Sequence, residues 1–260
     1  MPTDDHRETP RTERSRPVYV DALATRVISV LSSRQAVSPG GMRQFVLDHL
    51  LRAALCPGGF EPAELIAELR GHRLSVDEII DIYIPQAAIV LGQMWVDDDA
   101  SFAQVTIGSM RLQSLVGEAA AGNVPDVVTD RTRLTGLVVV PANEQHFLGA
   151  SVLSAQLRRL GCDVGTSFDE DEGSLAARVM LESPDLALVT CSRIENLNTV
   201  RRTVQTIRNA APEGCVIALG GLVTACAADL RANTGVDIVT SKAAEAVSFC
   251  AAEFAAASRS

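Results

Sequence analysis

Five short apolar runs, separated by segments of helical character, fill the second half of the chain and constrain its fold more than any other feature. The runs are rich in β-branched residues and span 134–141, 163–168, 186–190, 216–219 and 236–239. Helical segments alternate with them at about 148–160, 172–183, 195–211, 222–233 and 242–257. Because each run is apolar enough to be buried on both faces, this alternation predicts a five-stranded parallel sheet covered by helices.

The first half of the chain has a different periodicity. Apolar residues recur at three- and four-residue spacing across 18–121 without strand-like alternation, which predicts an all-helical region. Two helices are expected to end at the Pro-Gly segments 38–41 and 57–59, and a third to span 62–71. The predicted fold class is therefore α/β, with an N-terminal all-helical cap resembling a four-helix bundle, followed by a flavodoxin-like or Rossmann-like five-stranded parallel sheet.

Two capping boxes mark further helix starts in the cap. Ser75 with Glu78 precedes one apolar helix, and Ser101 with Gln104 precedes another. Pro85 lies inside the first of these helices and is expected to kink it, because proline lacks the N–H that the helical hydrogen-bond ladder needs.

Changes of composition mark the predicted domain boundaries. Residues 122–133 are rich in Gly, Pro, Asp, Thr and Arg and are interpreted as a linker between the cap domain, 18–121, and the α/β domain, 134–260. Residues 1–17 interleave arginines with acidic residues, which is typical of a disordered tail. The alternative is that this tail docks on a protein partner.

The formal net charge of −9 argues against a DNA-reading protein, because such a protein needs a basic face and the sequence has no basic run. The apolar stretches are too short or too interrupted to predict a membrane span, so a cytoplasmic protein is expected. The six cysteines form no CxxC pair and lie mostly in apolar runs, which indicates buried thiols rather than disulfides or a zinc site.

The loop after the first predicted strand contains the most unusual residues of the α/β half. In a flavodoxin-like sheet, ligands bind beyond the carboxyl end of this strand. His146 is the only histidine of this half, and Glu144 precedes it by two positions. A carboxylate on the second ring nitrogen would fix the tautomer of a metal-bound imidazole. The alternative is a surface histidine in a solvated ion pair.

Small and hydroxyl-bearing residues follow the same predicted strand ends. They are Gly149, Thr190, Ser192, Gly220 and Gly221. A long ligand can pass between backbone segments only where side chains are absent, which is the use predicted for the glycines. The hydroxyl of Thr190 can donate to a carboxylate or to such a ligand. The alternative for the Gly-Gly pair is a tight strand-to-helix turn.

Together these positions resemble the cobalamin-binding domain of corrinoid proteins, whose signature is Asp-x-His-x-x-Gly, then Ser-x-Leu, then Gly-Gly. The matching residues are Glu144, His146, Gly149, Thr190 to Ser192, Gly220 and Gly221. The resemblance implies that His146 is the lower axial ligand of cobalt and that the nucleotide tail of the cofactor occupies a glycine-lined slot. Glu144 stands where aspartate is usual, and Thr190 with Ser192 where serine and leucine are usual, so the ligand geometry is expected to differ.

Trp95, the only tryptophan, ends the kinked helix just before the acidic turn 97–99. A lone tryptophan is ordinarily a core residue or a partner anchor. The helical half resembles the cap that covers the upper corrin face, which implies that Trp95 shields the upper position of the cobalt. Light sensors of this architecture carry Trp, nine residues, then Glu-His. Here those two positions are Val105 and Thr106, which can neither ligate nor form an ion pair.

From about Val18 onward the chain resembles the B12-binding antirepressors of photosynthesis-gene control in purple bacteria, of the AerR and PpaA type. This resemblance implies a cytoplasmic, non-enzymatic, light-responsive regulator that binds hydroxocobalamin or adenosylcobalamin. It also implies a transcriptional repressor of the CrtJ/PpsR type as partner, with no DNA reader in the chain itself. It leaves open the upper ligand, which is adenosyl, hydroxyl or a second histidine such as His6.

Two alternatives stay open beside this interpretation. A corrinoid shuttle of a methyltransferase system would have the same cap, and a flavodoxin-like domain without a cofactor would leave His146 an ordinary loop residue. The sequence contains no Walker loop, no GxGxxG after a strand and no GxSxG, so no enzyme motif competes. His49 and His72 in the helical half are interpreted as structural or surface residues.

Overall fold

The computed structural model describes residues 42–121, 133–144 and 147–257. Its first part is a layer of helices, which we call the cap. They are α1 (Gln44–Leu55), α2 (Pro62–Gly71), α3 (Val76–Val96) and α4 (Phe102–Ala121). The predicted helical character is confirmed over residues 42–121, and the helix predicted to end at 38–41 lies outside the described residues. The predicted tail and residues 122–132 of the predicted linker lie outside the described residues, and the domain boundaries stay a prediction.

Both predicted capping boxes are present. The backbone N–H of Glu78 donates to the Ser75 hydroxyl at 3.1 Å, and the Ser75 N–H donates to the Glu78 carboxylate at 2.8 Å. The same reciprocal bonds join Gln104 and Ser101 at 3.3 and 2.9 Å. Each box therefore satisfies backbone donors that have no partner inside the helix.

Helix α3 contains a π-helical turn directly before the position of the predicted kink. The turn spans Ile79–Tyr83, and the N–H of Ile84 donates to the carbonyl of Ile79. Pro85 has no N–H for the next step of the ladder, and π turns are a recognised way for a helix to absorb such an interruption.

By length and composition α3 could also cross a membrane. The buried side chains of α3 belong to the core of the cap, and they are Ile79, Ile80, Tyr83, Ile84, Ala87 and Leu91.

Five parallel strands form the second part of the fold, in the order β2-β1-β3-β4-β5. They are β1 (Thr135–Val140), β2 (Asp163–Phe168), β3 (Leu186–Thr190), β4 (Val216–Gly220) and β5 (Ile238–Val239). The predicted fold class is confirmed. Strand β5 is shorter than the apolar run that predicted it. The side chain of Asp237 accepts the N–H of Ile217 at 2.7 Å, so a carboxylate takes the place of a backbone acceptor there.

The helices of this part are α5 (Phe147–Arg159), α6 (Glu172–Glu182), α7 (Leu197–Ala210), α8 (Leu230–Thr234) and α9 (Ala243–Ala257). The single helix predicted at 222–233 is wrong. That segment forms a 3-10 turn, Leu222–Ala225, and the short α8. Asp229 separates the two with a φ of 56°, a left-handed conformation that the interior of a right-handed helix does not contain.

Helices cover both faces of the sheet. Helices α6 and α7 pack on the face that carries Val139 and Val189, and α5 and α9 pack on the face that carries Val138 and Val140. The cap packs against α5, because Ala155 of α5 belongs to the core of the cap. Helix α5 therefore lies between the sheet and the cap.

Ion pairs hold the cap against the last turn of α5. Arg159 lies 3.2 Å from the Asp77 carboxylate and 2.6 Å from that of Asp81, and Gln156 donates to Asp81 at 3.1 Å. We call these four residues the clasp. Because α5 runs antiparallel to the strands, the clasp lies at the amino edge of the sheet. Asp81, near the start of α3, contacts the last turn of α5, whereas Gln113 of the returning helix α4 contacts Ser151 in the first half of α5. These two contacts indicate that α3 runs antiparallel to α5 and ends, at Trp95, toward the carboxyl edge.

Candidate functional site

The carboxyl ends of β1, β3 and β4 meet at one edge of the sheet, and Glu144, Thr190, Ser192, Gly220 and Gly221 lie there. Strand β1 lies between β2 and β3, so this edge contains the switch point at which open parallel sheets bind ligands. Thr190 at the end of β3 pairs with Gly220 at the end of β4. His146, the predicted cobalt ligand, lies outside the described residues, and its role stays a prediction.

A turn after β1 presents Glu144 to the neighbouring strand end. The N–H of Glu144 donates to the carbonyl of Pro141 at 3.1 Å, and Asn143 has a left-handed φ of 68°. Asparagine tolerates this conformation better than most residues do. Glu144 is only 3% exposed, so the turn places its carboxylate inside the protein.

Ser192 and Asn196 bind this buried carboxylate. Ser192 donates to it through its backbone N–H at 2.8 Å and through its hydroxyl at 2.6 Å, and the amide nitrogen of Asn196 lies at 3.5 Å. The two short bonds have the lengths of charge-assisted hydrogen bonds. Thr190 donates instead to the carbonyl of Val139 at 3.4 Å. Asn196 was not predicted, because an asparagine just before a helix is ordinarily a capping residue.

The three predicted glycines differ in what surrounds them. A Cβ atom at Gly221 would lie 2.4 Å from the carbonyl oxygen of Cys191, and the φ of Gly221 is 96°. A Cβ atom at Gly220 would lie 3.1 Å from the carbonyl oxygen of Thr240, and one at Gly149 would meet nothing within 4 Å. Close backbone packing therefore explains Gly221 without a ligand, whereas Gly149 leaves open space at the start of α5.

Trp95 and Phe102 form an exposed aromatic pair at the end of the cap. Their ring centroids lie 6.3 Å apart, and the two residues are 43% and 70% exposed. Met110, about two turns further along α4, is 65% exposed. A group of large apolar side chains left at the surface indicates a binding surface. Phe102 and Met110 were not predicted as site residues, although Phe102 follows Trp95 across the acidic turn.

Helix geometry places this aromatic pair beyond the carboxyl edge of the sheet. Helix α4 returns antiparallel to α3 and therefore runs in the same direction as α5. Gln113 of α4 donates to Ser151 of α5 at 3.3 Å. At 1.5 Å per residue, Phe102 precedes Gln113 by about 16 Å, whereas Phe147 at the start of α5 precedes Ser151 by about 6 Å. By this estimate the aromatic pair extends about 10 Å beyond the first residue of α5 along the helix direction.

Cys191 lies between the two strand-edge hydroxyl residues and is buried. Burial raises the pKa of its thiol to about 11, so the thiol is protonated at neutral pH. A protonated thiol is a small apolar group and not the soft anion that binds a metal. Cys191 therefore acts as a packing residue at this edge.

Replacing Ser192 with alanine should lower the free energy of unfolding by about 1–3 kcal/mol, because the buried Glu144 carboxylate loses its shortest hydrogen bond. Urea unfolding of the cofactor-free chain measures this loss. Ser154→Ala is the matched control. Ser154 is also buried, but its hydroxyl donates to the Ala150 carbonyl within α5. Equal losses in the two variants would contradict a special role for the Ser192–Glu144 contact.

Comparisons with known proteins identify the family and the fold of this chain. The family described as the B12 binding domain matches residues 134–249. A Rhodobacter capsulatus protein, described as an uncharacterized 20.5 kDa protein in the bchF-crtJ intergenic region, is 33% identical over 176 residues, which is 68% of this chain and 92% of that protein. The structure of the Methanosarcina barkeri monomethylamine corrinoid protein superposes with a TM-score of 0.60 at 12% identity, over 78% of this chain and 94% of that one.

The chain belongs to the B12-binding domain family, and this membership supports cobalamin binding. Within that family it is of the AerR and PpaA type, as the sequence resemblance predicted. The likeness to the M. barkeri protein shows the fold alone.

Proposed function

We propose that this protein holds a cobalamin between the strand ends and the cap, and that it acts as a light-responsive antirepressor. In this proposal the imidazole of His146 would hold the cobalt, and Glu144 would support the imidazole. Trp95 and Phe102 cover the upper face, and Gly149 leaves room for the nucleotide tail. When bound, the cobalamin would supply a cobalt centre that responds to light.

The observation that carries the cofactor part of the proposal is the buried Glu144 carboxylate, which the loop after β1 places at the carboxyl ends of the strands. The donor set fits a corrinoid, because a buried, hydrogen-bonded carboxylate stands two residues before His146 in the same loop. Gln93 of α3 fits as well. Its side-chain nitrogen donates to Asp97, while its side-chain oxygen is buried and has no hydrogen-bond partner among the described residues. The amide groups on the rim of a corrin are donors suited to such an oxygen.

The residues at positions 105 and 106 favour an antirepressor over the light sensors that carry Glu-His at these two positions. Val105 offers no donor atom, and the hydroxyl of Thr106 donates within α4 to the carbonyl of Phe102 at 2.8 Å. Light acting on a bound cobalamin would change what Trp95 and Phe102 contact. We infer that the cap then shifts and exposes or hides a surface for a protein partner.

The proposed partner is a transcriptional repressor of the CrtJ/PpsR type. The R. capsulatus relative is encoded beside crtJ, which supports a functional link of this kind. The protein is expected to act in the cytoplasm, without enzymatic activity and without reading DNA directly. The acidic net charge of −9 supports the last point.

A corrinoid shuttle for a methyltransferase is the second candidate function. The shared fold with the M. barkeri monomethylamine corrinoid protein favours it. A shuttle needs a cap that moves aside and an upper face that is free for methyl transfer. Acceptance of a methyl group from a methyltransferase would favour this candidate over the regulator.

The antirepressor proposal predicts that the loaded protein changes the affinity of the repressor for its operator. We would titrate operator DNA with the repressor alone, with the cofactor-free protein, and with protein loaded with hydroxocobalamin or adenosylcobalamin, each in the dark and after illumination. We expect the operator affinity to depend on the cofactor and on light. An absorbance change on illumination with a constant operator affinity would contradict the proposal.

A further inference from the structure

We propose that the outer surface formed by α7 and α8 binds an acidic segment of a protein partner. Three arginines define this surface, which we call the arginine surface: Arg201 and Arg202 on α7, and Arg231 on α8. All three are exposed. None of them forms an ion pair with a carboxylate in the part of the chain that the structure describes.

Other arginines of the same layer have partners, which sets these three apart. Arg208, also on α7, lies 2.9 Å from the Asp237 carboxylate and donates to the carbonyl of Cys215 at 3.1 Å. Arg178 on α6 is paired with two glutamates. Arg208 and Arg178 thus hold the fold together, whereas the guanidinium groups of the arginine surface are available to an external acceptor.

A groove between α7 and α8 provides a place for such an acceptor. It is lined by Arg201, Gln205, Arg208 and Asn233 and has a volume of about 200 Å³. Small-molecule sites in proteins have volumes of about 300–1,000 Å³, so this groove suits one or two side chains better than a free cofactor. Of the arginine surface, Arg201 lines the groove, and the other polar lining residues are Arg208, Gln205, Asn233 and Thr234. Guanidinium forks bind carboxylates in a bidentate manner.

The charge distribution favours an acidic protein segment over a nucleic acid. Residues 193–210 and 229–237 contain five arginines and three carboxylates, and two of these carboxylates are paired with Arg193 and Arg208. The whole chain nevertheless has a net charge of −9. A long polyanion such as a nucleic acid would therefore extend past the arginine surface onto acidic parts of the protein. Its affinity would be low there, because the affinity for a phosphate backbone rises with the number of basic residues that contact it. A short acidic segment would contact only the arginine surface.

The test is fluorescence anisotropy of the full chain with two labelled probes at low ionic strength, namely a twelve-residue peptide of alternating Glu and Gly and a 20-base-pair DNA duplex. We expect the peptide to bind and the Arg201→Glu/Arg202→Glu double variant to lose about tenfold in affinity, because charge-assisted hydrogen bonds are removed and repulsion is added. The matched control is Arg70→Glu/Arg73→Glu in the cap, which changes two exposed arginines and the net charge by the same amount.

Three results would overturn the inference. They are no binding of the peptide by the natural sequence, equal losses in the two double variants, and tighter binding of the duplex than of the peptide at the arginine surface. Circular dichroism establishes that each variant is folded before the titration. The test uses no cobalamin and no repressor, so its outcome is independent of the proposed function.

Discussion

Gly221→Ala should lower the free energy of unfolding of the cofactor-free chain by about 3–5 kcal/mol, an effect at the upper end of those seen for single substitutions. Gly221 has a φ of 96° and a ψ of −174°, a backbone region that is essentially restricted to glycine. The added Cβ would also lie 2.4 Å from the carbonyl oxygen of Cys191. That atom belongs to the backbone and cannot rotate away, so the ends of β3 and β4 would have to separate.

Gly149→Ala is the matched control for this stability measurement. Gly149 lies in the first turn of α5, and a Cβ there would meet nothing within 4 Å. The free energy of unfolding of the Gly149→Ala variant should therefore differ from that of the natural sequence by less than about 1 kcal/mol, since alanine is well tolerated in helices. Chemical denaturation of both variants measures the difference. A Gly221→Ala variant as stable as Gly149→Ala would show that the close approach of the two strand ends is not needed.

His146→Ala should remove the absorption bands of an imidazole-ligated cobalt and weaken hydroxocobalamin binding by at least about 100-fold. Loss of a residue that merely supports a metal ligand typically costs about 10- to 100-fold, and the imidazole is proposed as the ligand itself. The neighbouring Glu144 is held by Ser192 and would remain in place, but it would no longer have an imidazole to support. Spectrophotometric titration of the folded variant measures both effects.

His72→Ala provides the control for that titration. His72 caps the end of α2, and its ring packs against Phe45 with centroids 5.4 Å apart, so it belongs to the cap rather than to the strand ends. Its cobalamin spectrum and affinity should match those of the natural sequence. If the His146→Ala spectrum also matches, the lower-ligand assignment is wrong, whatever the affinity of the cofactor for the rest of the site.

The regular elements of the fold could be predicted from sequence because each has a local cause. Continuous apolar runs identify buried parallel strands, and the reciprocal pair of Ser75 and Glu78 identifies a helix start. The break at Asp229 and the short β5 could not be predicted. Both depend on contacts that form only in the folded chain, such as the Asp237 carboxylate accepting a donor from β4.

The candidate site was predictable in position but not in detail. Sequence placed Glu144, Thr190 and Ser192 at the strand ends, yet whether a carboxylate reaches Thr190 or Ser192 depends on turn geometry and on the reach of the side chain. The turn with a left-handed Asn143 directs Glu144 to Ser192. Phe102 was not predicted as a site residue, because an aromatic residue in a helix is more often a core residue than a surface one.

The clasp and the aromatic pair lie at opposite ends of the helices that connect them. One end of the cap is pinned to α5 by Arg159, Asp77 and Asp81, whereas the end with Trp95 extends past the first turn of α5. Trp95 lies about 20 Å along α3 from Asp81 of the clasp, at 1.5 Å of helix per residue. A small rotation of the cap about the clasp therefore moves the aromatic pair by a larger distance. Dissolved salt screens partly exposed ion pairs, so it weakens the clasp without acting on the strand ends.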